Sequence, residues 1–148
     1  MMFVADASAV LAAMKGETGG ARLITAGARP EISAVNVGEV FSRLIFAGVP
    51  PVEVTRQFSR LELKVRNFEL AHAVLVGELR PSTSAYGLSF ADRACLAQAK
   101  LSGLPILTGD HRQAEAAHQP FPGGVDLLRR GGGRDAEQRP GLGLAHGF

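Results

Sequence analysis

The stretch Met2-Phe3-Val4-Ala5-Asp6-Ala7-Ser8 (MFVADAS) decides how the rest of the chain is read. Its first four residues form an apolar run suited to a buried strand. Asp6 follows at once, and after it come the small residues Ala7, Ser8 and Ala9. A carboxylate at the end of a buried strand is costly unless something compensates its charge. What compensates Asp6 is therefore a question about function as well as stability.

Beyond Asp6, segments of two periods alternate. Residues 8–14 read as a helix ended by Lys15-Gly16, and 19–28 as a weaker helix stopped by Arg29-Pro30. EISAV (31–35) reads as a short strand. A strongly apolar helix over 36–47 is closed by Gly48 and Pro50-Pro51, and another over 52–61 places Val54, Phe58 and Leu61 on one face. LKVRNF (63–68) fits a third strand, followed by a helix over 69–79 closed by Arg80-Pro81 and a loop, PSTSAYGLS (81–89). Residues 90–102 are helical, Gly103 caps them, and LPILT (104–108) is an apolar strand. A short helix over 111–118 and a last strand at 125–128 complete the pattern. Strands separated by helices of this length argue for an α/β fold, a parallel sheet with helices on its faces.

At 148 residues the chain is long enough for one domain with a real core. That domain is expected over 1–130. The Gly-rich remainder, 131–148, lacks periodicity and is expected to be a flexible tail. A hydrophobic content of 46% with 20% charged residues excludes a disordered or fibrous chain. The formal charge of +2 is too small to argue for nucleic acid, so any nucleic-acid contact must rest on local charge. The single cysteine, Cys95, excludes an internal disulfide, fits a reducing compartment and reads as a packed core thiol. With no basic leader and no apolar run near the roughly 18 residues that span a bilayer, the expected location is the cytoplasm, with no membrane contact.

Asp6 has three counterparts: Glu39 in SAVNVGEV, Asp92 in LSFADRA and Asp110 in LTGDHR. Each is expected in the first turn of a helix. The simplest role for any one of them is capping. Asp6 and Asp110 suit N-caps, while Asn36-x-x-Glu39 and Ser89-x-x-Asp92 have capping-box spacing. Taken together they mean more. In a parallel sheet with crossover helices, strand C-termini and helix N-termini meet at one edge, where open α/β sheets bind ligands. Four carboxylates gathered there repel one another unless a cation binds between them. Oxygen-only ligands favour Mg²⁺ or Mn²⁺ over zinc, and such a metal activates water and clamps a phosphoryl group.

VADAS (4–8), NVGE (36–39), SFADRACLAQA (89–99) and LPILTGD (104–110), in this order, resemble the PIN domain. Within it they most resemble the VapC-type toxins of bacterial toxin–antitoxin pairs. The resemblance covers about 2–128 and leaves the tail unmatched. It implies a three-layer α/β/α fold around a central parallel sheet of four to five strands. It also implies a Mg²⁺- or Mn²⁺-dependent endoribonuclease, with a metal-activated water attacking in line to leave a 5′ phosphate and a 3′ hydroxyl. Asp6, Glu39, Asp92 and Asp110 would surround the metal, Asp6 and Asp92 most directly. Ser8 and Thr108 would support the site, and Asn36 would orient the chain before Glu39. Arg93 and Arg112 flank the acids and suit phosphate contacts; solvated surface positions or pairing with the acids suit them equally, and His111 reads as a surface histidine. The family often carries an arginine and then an aromatic residue after the last acid. Here His111-Arg112-Gln113 follows instead.

Apolar residues of 36–61 (Val37, Val40, Phe41, Leu44, Ile45, Phe46, Val52, Val54, Phe58) wrap more than one helix face. They fit a thick core, or a groove for a partner helix such as the antitoxin that the resemblance implies. A homodimer is likewise implied. The alternatives are a non-catalytic PIN-like module that binds a partner or RNA, and a structure-specific DNase of the same fold. A haloacid-dehalogenase phosphatase would need an aspartate where Ser8 stands. A receiver domain would need an acid pair and a late lysine that are missing.

Overall fold

The computed structural model describes residues 2–17, 20, 23, 29–110, 112, 113 and 116. Its elements are β1 (Val4–Ala5), α1 (Ala7–Met14), β2 (Glu31–Ser33), α2 (Ala34–Phe46), α3 (Pro51–Ser59), β3 (Lys64–Arg66), α4 (Leu70–Thr83), a 3₁₀ turn (Ser84–Tyr86), α5 (Phe90–Ser102) and β4 (Ile106–Leu107). The four strands form a parallel sheet in the order β3-β2-β1-β4. Val4 pairs with Glu31 on one side and Ile106 on the other, so β1 is central.

The two-residue alternation of strands separates the core into two layers. Phe3, Ala5, Ile32 and Leu107 face α1, α2 and α3, packing with Val10, Leu11, Val40, Leu44 and Val54. Val4 and Ile106 face the other way, against Val76 and Leu79 of α4 and Ala94, Cys95, Leu96 and Ala99 of α5. The result is the expected three-layer α/β/α arrangement. Cys95 is fully buried, as a packed thiol should be.

Two boundaries differ from the sequence reading. The helix expected from Asn36 starts at Ala34, because the Ser33 hydroxyl accepts from the Val35 amide (3.3 Å) and supplies the cap. Asn36 is thus inside the helix, and Glu39 lies in its second turn rather than closing a capping box. The helix expected to stop before Arg80-Pro81 continues to Thr83. Proline removes one donor, but near a helix end hydroxyls can serve the last carbonyls. Thr83 and Ser82 donate to the Leu79 carbonyl (2.7 and 3.2 Å), and Ser84 donates to that of Pro81 (3.1 Å). The helices expected at 19–28 and 111–118, the strand at 125–128 and the tail 131–148 lie wholly or largely outside the described residues.

The apolar residues of α2 and α3 divide between buried and exposed positions. Val40, Leu44 and Val54 are core, with Val37, Phe41 and Phe58 packed against it. Phe41 and Phe58 meet edge to face at 5.5 Å. Phe46 and Val52, by contrast, are 84% and 78% exposed. Among the described residues, no helix is long and apolar enough to cross a membrane.

Candidate active site

β1 is flanked by β2, which leads on to β3, and by β4 on its other side. The direction of strand order therefore switches between β1 and β4, the point at which open α/β sheets form a crevice. Asp6 stands there, directly after β1. It is 3% exposed and N-caps α1, accepting from the Ala9 amide (2.9 Å) and the Ser8 hydroxyl (2.7 Å). Its second oxygen accepts from Thr108, just beyond β4. Ser8 also accepts from the Gly109 amide (2.8 Å), and Thr108 from that of Asp110 (2.9 Å), which locks the end of β4 to the start of α1.

Capping does not settle the electrostatics of Asp6. Burial pushes its carboxyl up to about 6, against the pull of Thr108, Ala9 and Ser8, and the charge of Asp92 adds to the rise. Among the described residues its hydrogen-bonding partners are two hydroxyls and an amide, none of them a cation. Glu31, at the start of β2 and so at the other end of the strands, differs in having cations near it. Also buried, it accepts from Gln98 (2.9 Å) and Ser102 (2.6 Å), with Lys64 and Arg66 at 3.9 and 3.8 Å.

Asp92 lies in the first turn of α5 and makes the expected capping box. It accepts from the Ser89 amide (2.8 Å), and its own amide donates to the Ser89 hydroxyl (3.1 Å). Glu39 pairs with Arg43 one turn on (2.7 Å). Its carboxyl is raised by burial, with Arg43 and the Asn36 amide opposing and the Asp92 charge adding. Asp92 thus acts on both Asp6 and Glu39, which puts these three acids in one electrostatic neighbourhood. Asp110 is set apart. Burial pushes its carboxyl up, but the Arg112 guanidinium and the Arg112 and Gln113 amides outweigh it and hold it below the usual range. Arg112 reaches Asp110 at 3.0 Å.

The two arginines diverge. Arg112 remains exposed at the edge of the site (59% for its side chain). Arg93 is 8% exposed; it donates to the Val76 carbonyl of α4 (3.1 Å) and lies over the Phe90 ring, 6.0 Å from its centroid. It is a bolt between α4 and α5, and neither the phosphate contact nor the surface role expected of it fits. Asn36, 1% exposed, donates to the Ala91 carbonyl at the start of α5 (3.0 Å). His111 lies outside the described residues. One residue at the site was missed from sequence: Gln113, fully buried, donates to the Asp92 carbonyl (3.3 Å). Its only signal was its place three residues after Asp110.

A hard divalent cation fits the chemistry of this oxygen-only set and the mutual charge of Asp6, Glu39 and Asp92. Among the described residues, no three His, Cys, Asp or Glu side chains stand close enough together to hold one ion. Mg²⁺ commonly takes one or two carboxylates and completes its shell with water and substrate phosphate.

The PIN domain family model matches residues 3–119, and the chain belongs to that family. Among solved structures the chain is similar to a toxin–antitoxin complex from Klebsiella pneumoniae, with 19% identity and a TM-score of 0.63, covering 86% of this chain and 98% of the other. It is also similar to VapBC2 from Rickettsia felis bound to a promoter DNA fragment (13%, 0.66, 87% and 100%). A third is DNA-bound VapBC from Salmonella typhimurium (18%, 0.65, 84% and 96%). At these identities the likeness is one of fold. No curated protein matches the chain.

Proposed function

We propose that this PIN domain is a VapC-type toxin: an endoribonuclease that hydrolyses RNA phosphodiester bonds with Mg²⁺ or Mn²⁺ and is restrained by a protein antitoxin. The observation that carries this reading is Asp6, buried at the switch point with its carboxyl raised and its partners uncharged. When bound, a divalent cation would offset the charge of these acids, lower the pKa of water and neutralise charge on the phosphate. Asp6 and Asp92 are its first candidate ligands, followed by Glu39 and Asp110. Ser8 and Thr108 hold the Asp6 carboxylate by donating to both of its oxygens. Arg112, exposed beside Asp110, is the phosphate contact. A carboxylate of the set not engaged by the cation takes the proton from the attacking water.

The antitoxin is assigned to the exposed apolar residues of α2 and α3, Phe46, Val52 and the less exposed Ile45, which suit an amphipathic partner helix. The solved relatives support such a partner, since their descriptions name toxin–antitoxin and VapBC assemblies. A homodimer and a cytoplasmic location complete the reading. One observation favours the alternative, a non-catalytic module of the same fold: each of the four acids already has a protein partner, and among the described residues no three gather about one point. Incubating the purified protein with structured and single-stranded RNAs and matched DNAs, with Mg²⁺, Mn²⁺ or EDTA, separates the readings. RNA cut only with metal supports the ribonuclease, DNA cut in preference supports the DNase, and no cleavage supports the binding module.

A further inference from the structure

Glu39, Asp92 and Asp110 come from separate segments, and the first turn of α5, which carries Asp92, is tied to the segments of the other two. Two buried carboxamides meet the first turn of α5 from two sides. Asn36, three residues before Glu39, donates to the Ala91 carbonyl (3.0 Å). Gln113, three residues after Asp110, donates to the next carbonyl, that of Asp92 (3.3 Å). Both are almost wholly buried, at 1% and 0% exposure. Among the described residues, the side-chain oxygen of each lacks a hydrogen-bond partner. A buried, unpaired carbonyl lowers stability, and an apolar side chain of the same shape would avoid that loss. Neither amide is explained by packing alone.

The Gln113 side has a second anchor. Arg112 reaches the Gly87 carbonyl, in the turn that leads into α5, at 3.5 Å while it pairs with Asp110. The Gly87 backbone has φ +64°, and a Cβ there would meet the Arg112 guanidinium at 3.7 Å. The segment carrying Asp110 therefore grips the start of α5 twice, outside through Arg112 and inside through Gln113.

We infer that Gln113 is a positioning residue: through its amide it holds the segment carrying Asp110 against the first turn of α5, and so sets Asp110 relative to Asp92. This assignment rests on the nuclease reading for its catalytic consequence, but not for the clamp itself. Asn36 is the matching clamp on the Glu39 side, and its amide also pulls on the Glu39 carboxyl. The two amides act on adjacent carbonyls, so their losses should not add independently.

The test is the full-length Gln113→Met variant, which keeps the side-chain length and removes both the donor and the unpaired oxygen. The expected result has three parts. The variant melts at or above the wild-type temperature. Amide exchange speeds up at least tenfold in peptides covering 104–113 and 88–95 and is unchanged in α1. kcat for RNA cleavage with saturating Mn²⁺ falls about tenfold with little change in KM. Gln113→Glu, which preserves the shape and loses the donor when ionised, should lose kcat as well. A Gln113→Met protein that melts lower yet retains wild-type exchange and kcat would overturn the assignment, because the amide would then be packing only. Changed exchange with unchanged kcat would overturn its positioning role. If the wild type itself cuts no RNA, the nuclease reading fails separately, and exchange alone decides the clamp.

Discussion

Asp6 is a helix cap and a strained charge at once. As a cap it accepts from the Ala9 amide, a contact usually worth about 1 kcal/mol. As a buried carboxylate its pKa stands near 6 in the folded protein, above the ordinary value of 3.8. A carboxyl raised in this way binds its proton more tightly folded than unfolded, so stability falls as pH rises from about 4 to about 6. Above that window the full penalty is present, on the order of 3 kcal/mol. Asp6→Asn retains an acceptor for Ala9 and removes the charge. Chemical denaturation should show it more stable than wild type at pH 7.5 without metal, with the gain disappearing below about pH 4. An unchanged or lower stability at pH 7.5 would mean that the hydroxyls of Ser8 and Thr108 fully satisfy the ionised form. If the proposed cation binds at Asp6, the same linkage predicts a gain in wild-type stability with Mn²⁺ at pH 7.5 and little at pH 5.

Arg93 and Arg112 are indistinguishable in the sequence, each one or two residues past an acid, but the elements around them separate their roles. At N4 of α5, Arg93 points into the α4 packing face and bonds a carbonyl there. Arg93→Ala should lower stability by about 1–3 kcal/mol, as loss of a buried charged donor and its packed stem does. Arg112→Ala should stay within roughly 0.5 kcal/mol of wild type, because its ion pair is exposed. It should slow cleavage at low RNA concentration by roughly tenfold, the effect of losing one phosphate contact. Equal stability loss in both variants, measured by urea unfolding, would contradict this division.

Legibility followed the same line between local and tertiary causes. The Ser89–Asp92 capping box, the Gly103 stop (φ +65°) and the Phe90–Ser102 span were readable because caps and glycine stops act over three or four residues. The start of α2 was misplaced because Ser33 and Asn36 are both good caps, and only the strand end at Ser33 decides between them. Pro81 was read as a stop because the hydroxyls that rescue the last turn of α4 lie after it. Asp6 and Asp92 were legible as helix-start residues, whereas Glu39 lies a turn further into α2 than its spacing from Asn36 suggests. The burial of Arg93 and the contact of Gln113 with the Asp92 carbonyl were not legible, since each depends on which helix packs opposite.

Across the whole molecule, exposed apolar side chains lie on both faces of the sheet, Leu70 and Phe90 on one and Phe46 and Val52 on the other. The acids occupy the edge beyond the strand C-termini, while Phe46 and Val52 stay exposed on α2 and α3 although they adjoin a well-packed core. Phe46→Ser combined with Val52→Ser should leave the melting temperature within a few degrees of wild type, as expected for surface positions. On the proposed reading it should leave RNA cleavage intact and weaken inhibition by the antitoxin assigned to this surface. Loss of folding in this double variant would place both side chains in the core instead.

The most direct measurement compares wild type with Asp6→Asn on the same RNA panel, in Mg²⁺, in Mn²⁺ and in EDTA, with melting temperature read in each condition. The expected result is metal-dependent cleavage and a metal-dependent rise in melting temperature for the wild type, both lost in a variant that is itself the more stable in EDTA. Equal cleavage by the two proteins, or none by either with no response of melting to metal, would contradict a metal-dependent nuclease centred on Asp6.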